Sequence, residues 1–141
     1  MISGEGETRA VIVERQLAAP PEKIWRALTQ PHLIGEWLMR TDFKLVKGEK
    51  FQLRKDPTPE ISVVIDCEVQ TVELNKTLSY TWSAYGTQTV VTFTLTPVEG
   101  GTILRLEQAG FPAENKAAIK GANASWPMFL DELDKLLARI D

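Results

Sequence analysis

The chain has 141 residues, the size of one domain, with ordinary apolar (43%) and charged (25%) fractions and a net charge of −3. This charge excludes nucleic acid or a membrane surface as the expected partner, because both require a basic face. The N-terminal stretch MISGEGETRA lacks a signal peptide's apolar segment, and no apolar run reaches the roughly 18 residues of a spanning helix. We therefore expect one cytoplasmic domain over residues 1–141, with residues 1–7 as a disordered tail.

The N-terminal part of the chain predicts one strand followed by two short helices. Residues 9–17 favour β structure and end at a Pro20–Pro21 pair, which stops a strand. Pro21 suits the first turn of a helix that reaches about Thr29, and Pro31 starts a second helix with apolar residues at helical spacing. Helices this short are unstable alone in water, so both must pack against a sheet.

From Asp42 onward the apolar residues recur at every second position, which predicts antiparallel strands. Gly48 marks a turn between the first two, and the prolines within residues 56–59 predict a loop. Residues 61–73 form the clearest strand, with one face on the core and one on water. Further turns separate three more strands, at residues 74–77, 85–87 and 98–101.

The C-terminal segment predicts one long amphipathic helix. Its apolar stripe comprises Trp126, Phe129, Leu130, Leu133, Leu137 and Ile140. Pro127 either sets the start of this helix near Ser125 or kinks a longer helix that begins near Asn115, and we predict the kink. The fold class is therefore α+β: a curved antiparallel sheet of six to seven strands wrapped around one long C-terminal helix, with two short helices after strand 1. One helix covers such a sheet incompletely, so a lined cavity is expected.

Catalytic and metal-binding motifs are absent from the sequence. With one histidine and one cysteine, a Cys/His zinc site is excluded, and the lone Cys67 has no partner for an internal disulfide. His32 follows a proline at a helix start, where we expect it to face solvent. Cys67 lies on the core face of the long strand and is predicted to be a small buried hydrophobe. We predict no cofactor, no metal and no catalytic residue.

Inward-facing aromatic residues are the main functional signal. A core this rich in tryptophan is hard to close without gaps, so some of these rings are expected to line the cavity. Glu73 and Gln108 share the inward phase and would fix the polar end of a ligand. Gln108 is otherwise predicted to bond a backbone carbonyl or water. The candidate ligand-binding residues are Phe51, Val63, Ile65, Glu73, Tyr80, Trp82, Phe93, Leu104, Gln108, Trp126, Phe129 and Leu130.

Four stretches carry a family resemblance: Ile24 to Leu38 (IWRALTQPHLIGEWL), Cys67 to Trp82, Thr89 to Phe111, and Ser125 to Leu137. In this order they resemble the heat-shock-protein-90 ATPase activator homologue-like family of the START-like (SRPBCC) superfamily. The resemblance implies a helix-grip fold. It also implies apolar ligands between sheet and helix, or polyketide cyclisation as in a few relatives. The chain departs from the family at Ser125, usually Gly, and at Gln108, often His.

These observations predict a non-catalytic binder of a small, largely apolar molecule. Two alternatives stay open. One is a protein-interaction module that regulates a chaperone, which needs an exposed apolar patch of several hundred Å². The eukaryotic namesakes make much of their chaperone contact through an additional N-terminal domain that this chain lacks, so a chaperone partner is not expected. The other is a cofactor-free cyclase, hydrolase or dehydratase with Glu73 or Tyr80 as acid/base. A homodimer is also open, through an edge strand or the outer sheet face at Val64 and Val72.

Overall fold

The computed structural model describes residues 7–141, which form one seven-stranded sheet and three helices. The strands are β1 (Thr8–Leu17), β2 (Arg40–Thr41), β3 (Lys50–Thr58), β4 (Ile61–Glu73), β5 (Thr77–Ala84), β6 (Thr87–Val98) and β7 (Gly101–Pro112). The helices are α1 (Pro21–Thr29), α2 (Pro31–Trp37) and α3 (Lys116–Arg139). The sheet order is β1-β7-β6-β5-β4-β3-β2, with every neighbouring pair antiparallel. The predicted α+β helix-grip class is confirmed. The expected tail at residues 1–7 lies outside the described residues except for Glu7.

Helix α1 has the predicted bounds, and α2 begins at Pro31 as predicted. Each begins with proline in its first turn, where the missing N–H has no helical partner to lose. The buried faces of both helices belong to the core, and the Trp37 Nε1–H donates to the Ala27 carbonyl at 2.8 Å, which fixes α2 against α1. Tertiary packing therefore supplies the stability that these helices lack in isolation.

Strand β4 also has its predicted bounds, but a β-bulge changes which side chains face inward near its end. The register shifts between Val69, which pairs with Tyr80, and Thr71, which pairs with Ser79. An extra residue in one strand reverses the phase of everything after it. Val72 thus takes the inward phase and Glu73 the outer one, opposite Thr77. The expectation that Glu73 faces inward is wrong for this reason.

The segment between α2 and β4 differs from the prediction in two places. The strand expected from Asp42 does not form, because pairing ends with β2, Arg40–Thr41. The following residues reach β3 as a loop in which the Gly48 N–H donates to the Val69 carbonyl at 2.8 Å. The predicted proline loop is wrong, because β3 continues to Thr58. A register shift between Lys55 and Thr58 leaves Pro57 without a ladder partner, which is where a strand tolerates proline.

Helix α3 is the longer of the two predicted alternatives. It begins after Asn115, whose side-chain Oδ1 accepts from the Ala118 N–H at 3.2 Å, and it continues through Pro127 to Arg139. The Arg15 guanidinium of β1 lies 2.6 Å from the Asp131 carboxylate, an ion pair between the sheet and the helix. We call the sheet face that packs against α3 the inner face. No helix within residues 7–141 is both long and apolar enough to cross a membrane.

Candidate functional site

A hollow of about 540 Å³ lies between the N-terminal half of α3 and the inner face of the sheet. We call it the α3 hollow. Its lining from the sheet side is Met39, Ile65, Trp82, Ala84, Tyr85, Thr87, Thr89, Gln108 and Phe111. Its lining from the helix side is Asn115, Ala117, Ala118, Gly121, Ala122, Ser125, Trp126 and Phe129. The volume is within the range of about 300–1,000 Å³ that is typical of small-molecule sites.

Small side chains on α3 create this space. The first half of the helix presents alanine, glycine and serine to the sheet, so it cannot fill the gap that larger side chains would close. At Gly121 a Cβ atom would have no heavy atom within 4 Å. Gly121 is exposed, so this open space lies at the edge of the hollow that faces solvent.

Aromatic rings form one wall of the α3 hollow. The ring centroids of Trp82 and Trp126 lie 5.3 Å apart at an interplanar angle of 56°, and Phe129 lies 5.5 Å from Trp126. Trp126 also meets Phe93 edge to face at 6.1 Å. Phe93 belongs to the closed part of the core. Its contact with Trp126 therefore packs the aromatic wall against that core.

A chain of hydrogen bonds runs along the inner end of the hollow. The Trp126 Nε1–H donates to Gln108 Oε1 at 2.7 Å, and Gln108 Nε2 donates to Thr89 Oγ1 at 2.9 Å. The Thr89 hydroxyl donates in turn to the Trp82 carbonyl at 3.1 Å. The predicted backbone carbonyl is not a partner of Gln108: both of its protein partners are side chains, brought to it by α3 and β6.

The mouth of the hollow lies beside the β5–β6 hairpin. Its two-residue turn, Tyr85–Gly86, has φ values of 52° and 77°, and the Tyr85 side chain is 88% exposed. Asn115 Nδ2 donates to Thr87 Oγ1 at 3.1 Å and joins the start of α3 to β6. Positive φ at a bulky residue such as tyrosine is an outlier, and such strain is concentrated at functional sites.

The structure brings five of the predicted site residues together. Those that line the α3 hollow are Ile65, Trp82, Gln108, Trp126 and Phe129. Others are buried in the core and do not line it: Phe51, Tyr80, Phe93, Leu104 and Leu130. Val63 is half-buried against the core, and Glu73 is exposed on the outer phase.

Two buried groups of the core are held in their neutral forms. Burial raises the pKa of the Tyr80 phenol well above its ordinary value. Burial also raises the pKa of the Cys67 thiol, with a smaller contribution from the Asp66 carboxylate. Cys67 is thus the predicted buried hydrophobe, while His32 is exposed as predicted. Neither buried group reaches the α3 hollow.

Several residues of the site were not predicted from the sequence. They are Met39, Ala84, Tyr85, Thr87, Thr89, Phe111, Asn115, Ala117, Ala118, Gly121, Ala122 and Ser125. The run KAAIKGANAS, residues 116–125, could have indicated the helix side of the site. In this run small side chains precede the large apolar stripe of the same helix. Such a run at the start of a core-facing helix indicates unfilled volume.

The electrostatics of the α3 hollow are nearly neutral. Among its lining residues within 7–141, none is Asp, Glu, His, Lys or Arg, and Tyr85 is the sole ionisable side chain. No group of three or more His, Cys, Asp or Glu side chains in that part of the chain is placed to hold a metal ion. The hollow therefore offers apolar surface and neutral hydrogen-bonding groups.

A second hollow, of about 560 Å³, lies on the opposite, outer face of the sheet. Its lining includes Lys50, Asp66 and Glu68, and the Gln52 amide donates to the Asp66 carboxylate at 2.8 Å. This surface is polar and its charges are mixed in sign, as expected for the solvated face of an antiparallel sheet.

A curved antiparallel sheet that holds one long C-terminal helix, with two short helices after the first strand, defines a helix-grip protein of the START-like (SRPBCC) class. Residues 18–138 match the family described as Activator of Hsp90 ATPase homolog 1-like protein. The chain belongs to this family, as its four sequence stretches indicated.

Solved structures agree with this assignment. Protein MLL2253 from Mesorhizobium loti is 52% identical with a TM-score of 0.88, over 94% of this chain and 99% of that one. A protein from Rhodobacter sphaeroides is 26% identical with a TM-score of 0.82, over 96% and 100% of the two chains. CalU16 from Micromonospora echinospora, at 24% identity and a TM-score of 0.79 over 96% and 80%, shares the fold. No curated protein matches the chain.

Proposed function

We propose that the chain binds a small, neutral, largely apolar molecule in the α3 hollow and does not transform it. The observation that carries the proposal is the α3 hollow itself, which lies beside the Trp82 and Trp126 indoles and has a buried amide, Gln108, at its inner end. Apolar walls with a few placed polar groups are the usual composition of a small-molecule site.

The neutral lining supports a neutral ligand. An anionic ligand in the α3 hollow would leave water without meeting a cation, and burying an unpaired charge is costly. Aromatic or polycyclic compounds fit better, because the rings of Trp82, Trp126 and Phe129 offer flat apolar surface.

A binding role without catalysis is supported by the positions of the two candidate acid/base groups. Glu73 lies on the outer phase of β4, and Tyr80 is fully enclosed in the core with a raised pKa. Neither lines the α3 hollow. A general acid or base has to come within hydrogen-bond reach of the reacting atom, so neither group suits that task.

A thermal-shift screen tests the proposal. We would compare neutral aromatic and polycyclic compounds, including flavonoids and sterols, with fatty acids and aromatic polyketide-like acids. A ligand at one hundred times its dissociation constant adds about 2.7 kcal/mol to the free energy of unfolding, which raises Tm by several degrees. We expect shifts from the neutral aromatic class, with a change in tryptophan fluorescence. A flat response to the whole panel would contradict the proposal.

A pair of matched variants assigns any binding to the α3 hollow. Ala122 lines the hollow, whereas Ala124 is exposed on the same helix and does not. Ala122→Phe and Ala124→Phe carry the same change in helix propensity. We expect ligand binding to be lost in Ala122→Phe and retained in Ala124→Phe. Equal binding by the two variants would place the ligand elsewhere.

A further inference from the structure

The orientation of the Gln108 amide is fixed by its neighbour on α3. An indole N–H can only donate, so the atom of Gln108 that faces Trp126 Nε1 at 2.7 Å has to be the oxygen. The amide nitrogen is then directed to Thr89 Oγ1, which lies 2.9 Å away and accepts one of its two hydrogens. If the amide were reversed, its NH2 group would face the Trp126 N–H, and two donors would meet.

One hydrogen of Gln108 Nε2 is left over. Within residues 7–141 Nε2 donates only to Thr89, although Gln108 is 3% exposed and lines the α3 hollow. The same Thr89 oxygen cannot accept both hydrogens, because the two N–H bonds of an amide diverge in its plane. The hydrogen of the Thr89 hydroxyl itself goes to the Trp82 carbonyl. A buried N–H without a partner is rarer and costlier than an oxygen with a spare lone pair. The remaining N–H of Gln108 needs an acceptor, and a ligand in the hollow that Gln108 lines can supply one.

We propose that the α3 hollow recognises neutral aromatic compounds that carry a carbonyl oxygen, which accepts the remaining N–H of Gln108. The ring system of such a compound lies against Trp82 and Trp126, whose faces bound the same space. This inference rests on the proposed function and names the chemical class of its ligand. It assigns Gln108 as the residue that determines specificity.

A matched pair of probes tests this assignment. Fluorenone and fluorene are flat tricyclic compounds of nearly the same shape, and only fluorenone carries a carbonyl oxygen. Dissociation constants come from titrations of tryptophan fluorescence. We expect the wild-type protein to bind fluorenone about fivefold to tenfold more tightly than fluorene, the ratio that one net hydrogen bond supplies.

Two variants locate the source of the preference. Gln108→Met removes the amide at similar volume, and we expect the affinity ratio to fall to about one. Thr92→Val is the control, because Thr92 faces the outer side of β6, opposite Glu107, and does not line the α3 hollow. Its affinity ratio remains that of the wild type.

Infrared spectra of bound fluorenone supply a second readout, which does not require Gln108→Met to fold. In the wild-type and Thr92→Val proteins the carbonyl stretching band lies at lower wavenumber than for fluorenone in hexane, as a hydrogen-bonded ketone requires. Equal affinity for the two probes, or a bound carbonyl band at the hexane position, would overturn this inference and leave the proposed function intact. Binding of neither probe, with no thermal shift from any neutral compound, would overturn both.

Discussion

The two halves of α3 cover the same sheet in different ways. The half nearer the C-terminus, which we call the leucine half, buries Leu130, Leu133, Leu136 and Leu137. The half nearer the start, which we call the small-residue half, presents Ala117, Ala118, Gly121, Ala122 and Ser125 to the α3 hollow. The helix is continuous between them, and its C-terminal end also meets the short helices, where Arg139 lies 2.9 Å from Glu36 of α2. Larger side chains and this additional cover together close the core at that end. One helix can thus serve stability at one end and binding at the other.

The largest effect is expected from a substitution in the leucine half. Leu133 is fully buried, so Leu133→Ala creates a cavity and is expected to lower the free energy of unfolding by about 2–5 kcal/mol. Urea denaturation measures the loss. Ligand affinity of the folded fraction should not change, because Leu133 does not line the α3 hollow. A loss below about 1 kcal/mol would mean that this half is not tightly packed.

Alkaline pH tests the closed core in another way. The pKa of the Cys67 thiol is raised by burial and by Asp66, and that of the Tyr80 phenol by burial. The unfolded chain releases these protons near pH 8.5 and pH 10, at about the ordinary pKa values. Stability is therefore full below about pH 8.5. Above that it falls by up to about 1.4 kcal/mol per pH unit for each group, because only the unfolded state ionises.

The Cys67→Ala variant isolates the first part of this fall. Between about pH 8.5 and pH 10 we expect its free energy of unfolding to decline less steeply than that of the wild type. Urea denaturation at a series of pH values measures both slopes. Identical slopes would show that the Cys67 thiol ionises as readily in the folded protein as in the unfolded chain.

The small-residue half can be made more stable and less able to bind. Gly121→Ala and Gly121→Leu both remove a glycine from a helix interior, and each is expected to raise the free energy of unfolding by about 1 kcal/mol. Only leucine extends into the open space in front of residue 121. We expect Gly121→Leu to weaken ligand binding at least tenfold and Gly121→Ala to leave it unchanged. Equal binding by the two variants would contradict the location of the site.

The smallest expected effect concerns the mouth of the α3 hollow. Tyr85 has a φ of 52°, and asparagine tolerates this left-handed conformation better than tyrosine. Tyr85→Asn should therefore raise the free energy of unfolding by about 0.5 kcal/mol while it weakens ligand binding through loss of the ring. Tyr85→Phe keeps the ring and serves as the control, with wild-type stability and affinity. Thermal unfolding and fluorescence titration measure the two effects.

Most of the fold could be predicted because its signals are local. Proline at the first turn predicted the starts of α1 and α2, and a largely alternating pattern predicted the bounds of β4. The errors occur where one residue changes the phase or pairing of a strand, as at the β4 bulge, which turned Glu73 outward. The register shift around Pro57 likewise lets β3 continue past this proline. Neither irregularity can be recognised from the spacing of apolar residues in the sequence.

The candidate site was less predictable than the fold because it depends on which elements face each other. Alternation correctly placed Trp82 and Gln108 on the inner face, but it could not show which part of that face α3 leaves open. The partners of Gln108 lie 18 and 19 residues away in sequence, on α3 and β6. Their contacts follow from the path of the helix, which periodicity does not specify.

The central claim is that ligand binds in the small-residue half, and the four tryptophans report on it within one sample. Trp82 and Trp126 line the α3 hollow, whereas Trp25 and Trp37 are buried elsewhere, with the Trp37 Nε1–H bonded to the Ala27 carbonyl. The measurement is the set of indole N–H resonances in a proton–nitrogen correlation spectrum during titration with fluorenone. We predict that the Trp82 and Trp126 resonances move in a saturable manner while those of Trp25 and Trp37 stay in place. Larger movements of Trp25 or Trp37, or four unchanged resonances at saturating fluorenone, would contradict the account.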